Sequence, residues 1–340
     1  MLRPCRGRDL VGVKCWPPRW SRGYWSPLLQ FELWHAALLG LVEGITEFLP
    51  VSSTGHLIVT SQLIGLGGTE YKDAIDAFEV IIQGGAILAV VGLYWPRFVQ
   101  MLRGLVGKDA AGLRLLVNLV IAFLPAAVIG LAMHKLIKQH LFYVVPVAAA
   151  FIVGAIYMTV LDRWKKAKAD PGKEIDQLTM RDAALIGALQ CVAMWPGTSR
   201  SMMTITGGYI AGLRAGAAAE FSFLLGVPTL LAAAGLDLFK DLWHAHKTGG
   251  PNLFQVLGAG PTVMGMLIAA VSAAVAIKWL VGFLNRRGLV PFAAYRVVFG
   301  VLLLVLAARG VIHIAPEHAA TKPAGVQASA PPKSDAGKTP

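Results

Sequence analysis

Charge is scarce in this chain. Only 15% of its 340 residues are Asp, Glu, Lys or Arg, against about 25% in soluble domains. Acids are rarer still, 19 against 31 Lys and Arg, for a net charge of +12. Cysteine is nearly missing: Cys5, Cys15 and Cys191 make neither a disulfide framework nor a metal-binding spacing. No basic helix with interleaved aromatics occurs, which sets nucleic acid aside as a partner. Residues 1–30 hold six Lys/Arg but no apolar run long enough for a signal-peptide core.

What is abundant is oil. Apolar residues make up 56% of the chain, which has 37 glycines and a mean hydropathy of +0.60. Several runs approach or exceed the roughly 18–20 apolar residues that cross a bilayer. The hydropathy predicts an all-α integral membrane protein with six spans, at about 74–94, 115–132, 141–161, 217–239, 257–284 and 290–314. The tails, 1–30 and 315–340, read as a basic extension and an Ala/Pro/Lys/Ser-rich segment, both expected to be disordered. The membrane domain then occupies 31–314.

Two further apolar regions are not simple spans. Residues 34–65 and 182–212 are each broken by a Pro/Gly/Ser/Thr cluster, at Pro50–Gly55 and Pro196–Ser201. Irregular backbone at membrane depth is tolerated only where it is buried in protein or lines a cavity. Each region is therefore expected to be a re-entrant helical hairpin. The two also resemble each other: a glycine-started apolar helix, a proline and a hydroxyl-rich turn, followed by a span with an early glutamate, Glu79 or Glu220. One hairpin and three spans make an odd number of crossings, so a second copy (about 182–314 against 34–161) must be inverted.

Orientation follows from the loops. Segments 97–114, 162–181 and 285–289 carry twelve Lys/Arg, whereas the opposite loops carry five. The richer side is expected to be cytoplasmic. Arg296, within the last span, is read as snorkelling near that side.

The polar chemistry gathers in the two broken regions. In EGITEFLPVSSTGH, Glu43 and Glu47 are four apart and share one helix face. Two close carboxylates repel in low dielectric, and a divalent cation relieves this; oxygen ligands favour Mg²⁺ or Ca²⁺. Carboxylates facing water at the hairpin mouth are the plainer alternative. Ser52, Ser53, Thr54 and Gly55 follow, suited to holding phosphate oxygens at a helix N-terminus, or to ordinary capping. Ser53 and His56 are three apart, a spacing that allows a nucleophile–base contact. In WPGTSRSMMT, Arg200 sits among Thr198, Ser199, Ser201 and Thr204. A guanidinium there wants phosphate, or an ion pair with Glu43 or Glu47 that a substrate exchanges. The set suits a cation bridging to a phosphate or diphosphate on a substrate whose tail stays in lipid.

EGITEFLPVSSTGH and PGTSRS resemble the signature motifs of bacterial undecaprenyl-diphosphate phosphatases of the bacitracin-resistance type, over roughly residues 34–312. The resemblance implies hydrolysis of undecaprenyl diphosphate to the monophosphate carrier lipid of cell-wall synthesis. It also implies a multi-pass protein of the inner membrane, a site opening to the periplasm and a homodimer. It makes Glu43 and Glu47 the motif that works with the cation, Ser53 the nucleophile, His56 its catalytic partner and Arg200 the diphosphate clamp. One departure stands out: Met202 and Met203 replace small residues common after the arginine motif, which puts the packing there in question. A lipid phosphatase of the phosphatidic-acid type would need a histidine where Thr206 stands. A polyprenyl-phosphate transporter or flippase would explain the repeat and an anion site, but has no need of Ser53 and His56 beside a carboxylate pair.

Overall fold

The computed structural model describes residues 31–66, 72–141, 143–167, 172–248 and 257–312; both tails lie outside them. Among the described residues there are eleven α-helices and no strand. In chain order these are α1 (Leu33–Thr46), α2 (Ser53–Leu63), α3 (Lys72–Leu93), α4 (Trp95–Leu105), α5 (Ala110–Leu141), α6 (Val144–Ala167), α7 (Met180–Val192), α8 (Arg200–Ile210), α9 (Ala215–Thr248), α10 (Ala259–Arg287) and α11 (Val290–Ala308).

Six helices, α3, α5, α6, α9, α10 and α11, are long and apolar enough to cross a membrane, and they coincide with the six predicted spans. The broken regions form two pairs of shorter helices, with α1 packed on α2 and α7 on α8. At about 1.5 Å per residue, no member of either pair reaches a ~30 Å hydrocarbon thickness alone. The segment after residue 94, expected to be a loop, contains α4. Its Trp95, Leu102 and Leu105 stay exposed while Met101 and Gly104 are buried. That division, with Arg97 and Arg103 on the same helix, suits a helix lying along an interface.

The helix contacts carry the repeat. Pairing α1, α2, α3, α5 and α6 with α7, α8, α9, α10 and α11 leaves α4 as an insertion in the first unit. Helices α1 and α3 pack on α10, in the other unit; reciprocally, α7 and α9 pack on α5. The two units thus exchange partners, as a two-fold relation requires.

Small residues let α1 and α10 approach closely. A Cβ at Gly40 would collide with the Gly265 carbonyl, and one at Gly44 with the Ser272 side chain. This is small-xxx-small packing between apolar helices. Gly44→Leu is expected to lower the apparent melting temperature in detergent by several degrees, since overpacking costs roughly 1–3 kcal/mol; a fluorescence melt checks it. At the far end of the same core, the buried Asp162 carboxylate of α6 accepts the Leu289 N–H (2.9 Å) and pairs with Lys166 (2.7 Å). This clasp ties the α10–α11 junction to α6 and sets the height of α11.

Candidate active site

The break after α1 brings the first acid of interest to a helix end. Glu47 caps α1, its N–H donating to the Glu43 carbonyl (2.9 Å). Ser53 is the first residue of α2, and helical side chains tilt towards the N-terminus. Its hydroxyl therefore points back at α1 and donates to Glu47 Oε2 at 2.6 Å. The other carboxylate oxygen, Oε1, accepts Arg200 Nη2 at 3.1 Å. Arg200 opens α8, so the two broken regions meet at one carboxylate. The ion pair open as an alternative in the sequence is formed with Glu47, and it includes Ser53.

Arg200 is seated rather than free. Its Nη1 donates to the Ser222 carbonyl (3.1 Å), its guanidinium lies 5.8 Å from the Phe48 ring centre, and Gly226 leaves the room it occupies. Its Nε–H is buried with no partner among the described residues. Glu43, one turn before Glu47, is only 1% exposed, and its Oε2 also lacks a hydrogen-bond partner there. A buried, unpartnered carboxylate oxygen beside an already engaged carboxylate fits a cation site open to phosphate. No cluster of three or more His, Cys, Asp or Glu among the described residues is placed to hold a metal. Mg²⁺ suits such a site, since it commonly uses one or two carboxylates together with water and substrate phosphates.

His56 does not pair with Ser53, whose hydroxyl is taken by Glu47. The imidazole lies 2.7 Å (Nδ1) from the Ser52 carbonyl and 2.6 Å (Nε2) from the Tyr295 hydroxyl, and it stacks on Phe299 at 4.0 Å. Its side-chain partners come from α11, with Tyr295 239 residues away. Sequence spacing within one helix could not register them.

The two turns match each other in backbone as well as sequence. Ser52 (φ 70°) and Ser199 (φ 78°) are the non-glycine residues with positive φ among those described, and each immediately precedes its second short helix. Ser199 caps α8 through Met202 N–H (3.3 Å), whereas Ser52 makes no side-chain cap, leaving the first turn of α2 without one. Ser199 also contacts the Ser201 hydroxyl (3.0 Å), and Ser201 donates to the Leu49 carbonyl (2.8 Å), joining the turns. Thr198 is buried in its turn, its N–H donating to the Trp195 carbonyl, and Thr204 meets Ser222 (2.6 Å). Thr54 is half-buried at the second position of α2. Gly55 has a packing reason of its own: a Cβ would lie 2.7 Å from the Phe151 ring.

Arg296 departs most from its sequence reading. It is fully buried rather than snorkelling. It donates to the carbonyls of Ala150 (2.8 Å), Phe151 (3.3 Å), Gly197 (2.8 Å) and Pro50 (3.4 Å). It thus fastens both turns to α6 and α11. A cation that can satisfy several carbonyls survives burial where one near water would not need to. Gly154 makes the space: its Cβ would sit 2.5 Å from Arg296 and 3.1 Å from Met202. The same gap houses the larger residue found after the arginine motif, and Met202 and Met203 are both buried in α8.

Of the two early glutamates, Glu220 is ion-paired. Glu220 accepts Arg97 Nε (2.7 Å), which also reaches Asp176 (3.1 Å). This network borders a cavity of about 620 Å³ that Tyr94, Gln100, Arg103 and Asp109 also line, none of them a residue of the two turns.

A serine hydroxyl held by a buried carboxylate, beside an arginine, thus lies in a helical protein with six helices long and apolar enough to cross a membrane. The family comparison agrees: residues 36–302 match the family described as bacitracin resistance protein BacA, and the chain belongs to it. Among its relatives are an undecaprenyl-diphosphatase of Sorangium cellulosum, 44% identical over 272 residues, covering 80% of this chain and 85% of that one. Undecaprenyl-diphosphatase 2 of Rhodospirillum rubrum is 44% identical over 279 residues, covering 82% and 96%. The undecaprenyl-diphosphatase of Neisseria meningitidis is 42% identical over 272 residues, covering 80% and 94%.

Proposed function

We propose that this chain hydrolyses undecaprenyl diphosphate to undecaprenyl phosphate and inorganic phosphate, returning the carrier lipid to cell-wall synthesis. One observation carries the residue assignment: Ser53, Glu47 and Arg200 form a continuous hydrogen-bonded chain across the two turns.

Glu47 is the base for Ser53, occupying the place that the motif resemblance gave to His56. As the Ser53 oxygen bonds to the terminal phosphorus, its proton passes to Glu47 Oε2. The bond from that phosphorus to the bridging oxygen breaks, that oxygen takes the proton back from Glu47, and undecaprenyl phosphate leaves, with Glu47 a carboxylate again. Water then cleaves the phosphoserine, with Glu47 as general base. Arg200 exchanges Glu47 for the diphosphate, its Nε–H supplying a donor that has no partner among the described residues. The uncapped first turn of α2 offers further N–H donors to phosphate oxygens. Glu43 and Glu47 would hold a divalent cation, Mg²⁺ or Ca²⁺, which supplies positive charge against the diphosphate.

The apolar part of the substrate has a path to this point. A groove of about 660 Å³ between α1 and α10 is lined by Leu41, Ile45, Val271 and Val275 and reaches Leu49 in the first turn. The two hairpins are re-entrant in this reading, and the basic-loop asymmetry supports a site opening to the periplasm. The protein acts in the bacterial inner membrane as a homodimer.

The test is phosphate release from a detergent-solubilised polyprenyl diphosphate, with EDTA and then with Mg²⁺ or Ca²⁺. Metal-dependent release that disappears in Ser53→Ala is the expected result. Absence of release from folded protein under every metal condition would favour lipid transport instead.

A further inference from the structure

We propose that Tyr295 is a positioning residue: by donating to His56 it holds the imidazole in the tautomer that the Ser52 carbonyl selects and, through that carbonyl, sets the angle at which Ser53 is presented to Glu47. The consequence for turnover rests on the role of Ser53 argued above; the tautomer does not.

A backbone carbonyl can only accept. The 2.7 Å contact between His56 Nδ1 and the Ser52 carbonyl therefore places a proton on Nδ1. In a neutral imidazole, Nε2 is then an acceptor, and the Tyr295 hydroxyl at 2.6 Å is the donor that completes the chain. Its direction is fixed throughout: Tyr295 O–H to His56 Nε2, then His56 Nδ1–H to Ser52 C=O. The ring cannot flip without losing both bonds, and Phe299, one turn after Tyr295 on α11, stacks on it at 4.0 Å with planes 16° apart.

The carbonyl at the end of this chain is an unusual one to anchor. Ser52 has φ 70° and ψ 101°, a sparsely populated backbone for a residue with a side chain. Its own side chain provides no cap to α2, so the tether from His56 is what the structure offers to hold that peptide. The next residue is Ser53. A tyrosine on α11 thus sets the nucleophile without touching it.

Tyr295→Phe is the suited variant, because the ring is 44% exposed and loss of its hydroxyl opens no buried cavity. ¹⁵N-histidine-labelled protein in detergent, with the His56 signals assigned by their loss in His56→Gln, reads the tautomer directly. Wild type is expected to show a single Nδ1–H tautomer, and Tyr295→Phe an average of two. With the variant, kcat is expected to fall about tenfold while KM stays within twofold. A wild-type Nε2–H tautomer or imidazolium at neutral pH would overturn the proposal, as would a Tyr295→Phe protein with unchanged tautomer and kcat. An Nδ1–H signal lost in Tyr295→Phe, in a protein that releases no phosphate, would support the Tyr295–His56 lock and remove the hydrolase reading instead.

Discussion

Glu47→Ala is expected to lower phosphate release by at least about a thousandfold. General-base removal alone costs on the order of 10²–10⁴, and this carboxylate also holds Arg200 in place at 3.1 Å. Removing one partner of a buried pair destabilises as well, by roughly 3–5 kcal/mol where burial is complete. Here Arg200 keeps 10% of its side chain exposed, so the protein is expected to fold, melting somewhat lower. Glu47→Gln separates the two effects. It keeps an oxygen for Arg200 but accepts no proton at that strength, so turnover should be lost with melting close to wild type. Arg200→Ala is expected to lose roughly 10²–10³ in kcat/KM, in the range found when a transition-state donor is removed. Retention of near wild-type turnover by any of these variants would end the assignment.

The second large effect concerns stability. Arg296→Met is expected to lower the apparent melting temperature by about 10 °C or more and to abolish activity. Four carbonyls from the two turns and α6 lose their donor at once. Hydrogen bonds to a charged group are worth roughly 1.5–3 kcal/mol each, and each kcal/mol moves a domain of this order by about 2–4 °C. Replacing a buried ion pair with apolar residues is often neutral because both charges go. In this case the carbonyls stay behind: Ala150 and Phe151 keep their bonds within α6, but those of Pro50 and Gly197, in the two turns, lose this donor. Arg296→Lys should fall between, since an ammonium has three donors and cannot fan out to four acceptors. A melt of Arg296→Met indistinguishable from wild type would show that the clamp is dispensable.

The sequence disclosed the six spans and the two broken regions because hydropathy and Pro/Gly/Ser clustering are local properties. Glu43, Glu47, Ser53 and Arg200 stood out for the same reason: polar groups in oil are conspicuous. What stayed hidden depended on which way a distant helix faces. Tyr295, Arg296 and Phe299 lie in PFAAYRVVFG, which reads as an ordinary apolar span with one cation near its end. Only the register of α11 against α2 and α6 turns Tyr295 towards His56 and Arg296 towards two turns. His56 is obscured in the same way, since a spacing of three within α2 points to Ser53 while the side-chain partner, Tyr295, lies on α11. The charges around 97–114 read as a loop, because local composition does not separate the helix α4 from a connection.

The exchange of partners between the repeats has a consequence in time. A ribosome delivers α1, α2 and α3 long before α10, on which α1 and α3 pack. Glu47 is made 153 residues before the Arg200 it holds, and both turns wait for Arg296, on α11. Until α11 arrives, the first half carries buried-type acids and an unfastened turn into the bilayer with no partner of its own. The active centre is therefore completed only when α11 is made, and a nascent chain cannot become a working phosphatase by halves.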